Sequence, residues 1–148
     1  MIFMGVDGDT ATDADRDGLA RFLAERGVHL SPDGDGHGIP IAADGRVLFL
    51  DGGPTDMHFS GLDHAEPLTG SIWHAHLGPA ECAFVYDMCI AARWIVCNAQ
   101  GGPTYLIPGQ NHTPAQLRGI DAVDEIAWVD SAEELREALS GGFEDFVA

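Results

Sequence analysis

The chain has 148 residues, 45% of them hydrophobic and 8% aromatic, and 24 acids against 7 basic residues give it a formal charge of −17. That length buries one core without help from disulfides or metal. The charge excludes nucleic acid as a partner, because phosphates are repelled and too few cationic groups exist to displace their counterions. All seven basic residues are Arg, so lysine-dependent chemistry is excluded too.

In chain order, a short apolar strand is expected over Met1 to Val6. Asp13 or Thr12 then caps a helix whose Leu19, Phe22 and Leu23 recur at helical spacing and which stops at Gly27. Val28 to Leu30 reads as a strand, and Gly38 to Ala43 with Arg46 to Leu50 flank Asp44-Gly45, the signature of a tight hairpin. Residues 51–70 are rich in Gly, Pro, Asp and His without periodicity, and read as a loop connecting an N-terminal half (1–50) to a C-terminal half (71–148) of a single domain.

The second half opens with an alternating strand from Ser71 to Leu77. Pro79 and Glu81 then start a buried helix carrying Phe84, Val85, Met88, Cys89 and Ala92. Strands follow at Trp94 to Asn98 and Thr104 to Pro108 around a Gln100-Gly101-Gly102-Pro103 turn, then a helical turn at Pro114 to Leu117 and a strand at Ile126 to Val129. Ser131 and Glu134 form a capping box for a last helix presenting Leu135, Ala138 and Leu139. The fold class is α+β, antiparallel sheet backed by helices. Both halves share the order strand, helix, strand, strand, the mark of a βαββ pseudo-repeat.

Cys82, Cys89 and Cys97 form no Cys-x-x-Cys pair, and the first residues lack a basic region before an apolar one, which points to a reduced, cytoplasmic protein. None of the apolar runs approaches the ~20 residues of a membrane helix. Cys82 and Cys89 stand about 10 Å apart along a helix, too far for a disulfide, and read as core thiols.

Two constellations carry the outline of metal chemistry. His74 and His76 share one face of a strand at period two. With Glu81 and His112 their spacing resembles the two metal-binding motifs of cupins, a family in which three histidines and a glutamate hold a divalent metal. The first motif lacks its closing glycine, and a helix at Glu81 conflicts with the strands that a cupin requires. Asp13 to Gly18 and Asp33 to Gly38 resemble the start of a calcium loop, but their twelfth positions are Ala24 and Asp44, and Pro40 interrupts the second. Caps and turns explain both segments. No nucleophile elbow, phosphate loop or dinucleotide fingerprint is present, so no catalytic role and no cofactor is assigned.

The segments Gly101 to Pro108 and Val129 to Leu135 resemble those of small bacterial immunity proteins, which neutralise toxins of type VI secretion and related polymorphic-toxin systems. The resemblance implies a binding protein that occludes the active site of a cognate toxin. The charge fits a cationic partner, since complementary charge steers encounter. The contact residues expected on this reading are Asp51, Asp56, Asp63 and Glu66 in the connecting loop, and Asp124, Glu125, Trp128, Glu133 and Glu137 in the acidic C-terminal stretch.

Overall fold

The computed structural model describes residues 1–32, 34–98, 105–120 and 125–141; the expected turn at 100–103 and Asp124 lie outside them. In chain order the elements are β1 (Ile2–Asp7), β2 (Thr10–Thr12), α1 (Arg16–Glu25), β3 (His29–Pro32), β4 (His37–Ile41), β5 (Phe49–Leu50) and β6 (Gly53–Pro54). There follow β7 (Met57–Ser60), β8 (Thr69–Ile72), α2 (Pro79–Ala92), β9 (Ile95–Cys97), β10 (Tyr105–Pro108), β11 (Ile126–Val129) and α3 (Ala132–Leu139). The fold is α+β. Its main sheet runs β11-β10-β9-β1-β8-β7-β4-β3 with β2 paired to β1, while β5 and β6 form a separate ribbon. All ladders of the main sheet are antiparallel except β10–β11.

Period-two alternation sorts the strand residues between two faces. Phe3, Met57, Phe59, Ile72, Val96, Leu106, Ala127 and Val129 point to one face, where they meet Leu19, Phe22 and Leu23 of α1, Phe84, Val85 and Met88 of α2, and Leu135 and Ala138 of α3. The helices lie side by side in the order α1, α2, α3. Trp94, fully buried, anchors this layer: its ring packs with Phe3 and Phe59, and its Nε1–H donates to the Leu68 carbonyl at 3.1 Å. Close approach of α1 to α2 depends on Gly18, where a Cβ would sit 2.2 Å from the Ala91 carbonyl oxygen.

The ends of the helices follow the expected chemistry, with one change of residue. Asp15 caps α1, accepting the Gly18 N–H at 2.9 Å. Asp13 instead joins the chain across the core edge, accepting N–H groups from Ala14 and Leu68 and the Arg16 Nε–H. Ser131 accepts from the Glu134 N–H and Glu134 accepts from the Asp130 N–H, which is the capping-box exchange displaced by one residue.

Two sequence expectations need correction. The connecting segment 51–70 is not a loop: it contains β6, β7 and the start of β8, and β7 is an interior strand between β4 and β8. The strand expected from Ser71 to Leu77 stops at Ile72, so His74 and His76 lie on the connection to α2, not on a strand face. The Asp44-Gly45 turn does form, but its strands hold one bridge, Ile41 to Val47, before the chain turns away into β5. The order strand, helix, strand, strand is present as β1-α1-β3-β4 and β8-α2-β9-β10, with β2 and β5 to β7 interrupting it.

Candidate functional site

The outer face of the sheet is divided in character. Over β1, β9, β10 and β11, the outward residues Val6, Ile95 and Ile107 are buried beneath Leu117 and Ile120 from the turns at 113–120. Over β8, β7, β4 and β3, the outward residues are Ser71, His58, Ser60, His37, Ile39 and Ser31, which line an open groove of about 490 Å3. The sequence pattern explains the difference, because the outward positions of this half are polar except for Ile39 and the inward ones are mostly apolar, as on a sheet with one wet face. Trp73 stands at the rim with 70% of its surface exposed. Its backbone N–H donates to the Asp56 carbonyl, which fixes where the side chain leaves the chain.

Asp56 organises the polar groups at that rim. One carboxylate oxygen meets His58 Nε2 at 2.8 Å and the other meets His74 Nδ1 at 2.5 Å. The bonds to His74 and then to His58 hold the Asp56 carboxyl below its ordinary value, so it is ionised and both facing ring nitrogens carry a proton. Beside them His37 Nδ1 lies 2.9 Å from Ser60 Oγ, a cross-strand pair of β4 and β7. A carboxylate that orients imidazoles is a component of general-base catalysis. Here the serine that contacts a histidine is on His37, not on either Asp56-held ring, so the parts are not arranged in series.

The cupin-like quartet is not assembled. Glu81 is buried in the first turn of α2, where one oxygen accepts the Leu77 N–H at 2.7 Å. His112 is buried with Nε2 facing the Val6 N–H and Nδ1 facing Asn111 Oδ1. His74 is held by Asp56. Among the described residues, no group of three His, Cys, Asp or Glu side chains is placed to hold a metal ion. The reason lies in the early end of β8, which removes the shared face that the spacing of His74 and His76 assumed.

The expected contact residues fall at several places. Asp51 is exposed but engaged: its carboxylate accepts the N–H groups of Ala80 and Glu81 and so caps α2, which depresses its pKa. Asp63 and Glu66 are exposed on the turn whose carbonyls at Gly61 and Glu66 accept from Arg16. Glu133 and Glu137 are exposed on α3, and Glu125 is exposed ahead of β11. Trp128 is half-buried against the outer cluster and borders a shallow groove with Leu117 and Ile126.

Of the residues at this rim the sequence singles out Asp56 and His74, and it leaves His37, His58, Ser60 and Trp73 undistinguished. The signal was the alternation Met57-His58-Phe59-Ser60, which places two polar residues on one face of a strand. Four residues between Asp56 and Gly61 are few for that pattern to register. No protein-family model, curated protein or solved structure matches the chain.

Proposed function

We propose that this protein acts by binding a cationic protein, as an immunity-type inhibitor binds its toxin, and that the open half of the outer sheet face is the contact surface. The observation that carries this reading is Trp73, 70% exposed at the rim of a polar groove on a chain of net charge −17. Exposed tryptophan is costly to leave in water and is enriched among the residues that dominate interface energies. Net negative charge accelerates encounter with a basic surface, and His37, His58 and Ser60 supply adaptable hydrogen-bonding groups around the anchor. The acids elsewhere on the surface, among them Asp63, Glu66, Glu133 and Glu137, contribute to the long-range field that steers approach rather than form the centre of the contact.

The test is direct binding to the basic C-terminal domain of a secreted toxin encoded beside this gene. Calorimetric titration at two salt concentrations is expected to give a complex whose affinity falls as salt rises. Lack of a complex at either salt concentration, or a neighbouring gene that encodes no such toxin, would overturn the reading.

A further inference from the structure

A second groove, of about 880 Å3, opens at the far end of α2 and is bordered by Arg93, Gln110, Asn111, His112 and Gln116. It is independent of the proposed contact surface: α2 spans 14 residues, about 21 Å at 1.5 Å per residue, and Leu77 and Trp73 belong to the opposite end.

Three features shape this groove. Arg93 occupies the C-cap of α2 at φ 56°, ψ 52°, a left-handed position where glycine is the preferred residue. Gln110 follows Gly109 at φ 54° and 57°, so a second side chain with a long polar end is held in the same unfavourable region. Non-glycine residues persist in such conformations where the surroundings over-determine them, and they concentrate at ligand sites. The surroundings here do over-determine them. Asn111 Nδ2 donates to the carbonyls of Cys89 (3.1 Å) and Trp94 (2.7 Å), its Oδ1 meets His112 Nδ1, and His112 Nε2 accepts from the Val6 N–H. This chain of bonds locks the 109–113 turn to the turn that carries Arg93.

The locked frame leaves donors without partners. Among the described residues Arg93 makes no ion pair, and neither its guanidinium nor the Gln110 carboxamide makes a hydrogen bond. Gln116 uses its side-chain oxygen to accept from Thr113, and among the described residues its NH2 group has no acceptor. Of the two acids on the rim, Asp13 is engaged with Arg16, Ala14 and Leu68, and Asp7 is the other. Although the chain is strongly anionic, distant charges are screened over about 8 Å at physiological salt, so the nearest groups set the local field. At His112 the charge felt is that of Arg93, which, after burial itself, disfavours the protonated ring.

We infer that this groove binds a small ligand through an oxyanion group, carboxylate or phosphate, held by the Arg93 guanidinium with the carboxamides of Gln110 and Gln116 as further donors. The planar guanidinium fork matches both anions.

The experiment is an NMR titration of the 15N-labelled full chain with inorganic phosphate and, separately, with acetate, at ionic strength held constant with chloride. The side-chain amide signals of Gln110, Asn111 and Gln116 are followed. Saturable shifts are expected with one or both anions, and the arm that saturates at lower concentration identifies the preferred group. Arg93→Gly is expected to fold, since glycine suits the left-handed cap, and to weaken binding about tenfold or more. Arg93→Lys keeps the charge but loses the fork and is expected to fall between the two. Linear, unsaturating shifts in both arms, or equal affinity in Arg93→Gly, would overturn the inference.

Discussion

Asp51 accepts the Glu81 N–H at 2.9 Å from 30 residues away, and with the bond to Ala80 it caps α2, whose own N-cap, Gly78, has no side chain to offer. The geometry requires Gly78, because a Cβ there would stand 2.2 Å from the Asp51 carboxylate oxygen. Asp51→Ala is therefore expected to lower Tm and to speed amide exchange at Ala80 and Glu81. Because its carboxyl pKa is depressed in the folded state, this contribution is present above the unfolded value of about 3.9 and is lost as pH falls through the folded value. Equal thermal midpoints for wild type and variant at neutral pH would contradict it.

Gly78→Ala tests the same contact from the other side. Its φ of −74° suits alanine, so any loss of stability comes from displacing Asp51 rather than from backbone strain. The substitution is expected to lower Tm in wild type and to be better tolerated in the Asp51→Ala background. Additive effects in that double-mutant cycle would show that the two residues do not compete for one space.

His112 gives stability a pH dependence near neutrality. Burial, then repulsion by Arg93, lowers its folded pKa, and its Nε2 must stay unprotonated to accept from Val6. A lowered folded value means that the unfolded chain binds the proton first. Stability is thus full above about 6.5 and declines as pH falls from there toward the folded value. Urea midpoints at pH 7.5 and 5.5 are expected to differ more in wild type than in His112→Gln. An equal difference in both proteins would rule out His112 as the source.

Two tryptophans are expected to separate cleanly. Trp94 is fully buried, packs with Phe3 and Phe59, and donates to Leu68, so Trp94→Ala is expected to cost about 3–5 kcal/mol. Trp73 is 70% exposed, and Trp73→Ala is expected to change stability by no more than about 0.5 kcal/mol. Denaturant unfolding of both variants checks the contrast.

Elements marked by local chemistry were readable in the sequence. Pro79 with Glu81 marks the start of α2, Ser131 with Glu134 marks α3, and the short apolar run Ile126 to Val129 marks β11. Features set by distant chain were not readable. Asp51 reads as a loop acid until α2 is seen beside it, and β7 reads as loop until β4 and β8 flank it. His74 and His76 share a face only if β8 continues past Ile72, and the chain instead turns toward α2, reaching φ 56° at Leu77. Nothing in the sequence separates Trp73 from Trp94. Their difference arises because one follows a strand at the sheet's rim and the other lies between α2 and β9.

The proposed binding of a cationic partner through the rim of the open half-face is tested most directly by the affinity of Trp73→Ala for the basic toxin domain proposed as that partner, beside Trp128→Ala as control. Trp73→Ala is expected to lose tenfold or more in affinity, about the effect of truncating an anchoring aromatic, and Trp128→Ala, whose ring packs on the outer cluster, to keep wild-type affinity. Wild-type affinity in the Trp73 variant would contradict it.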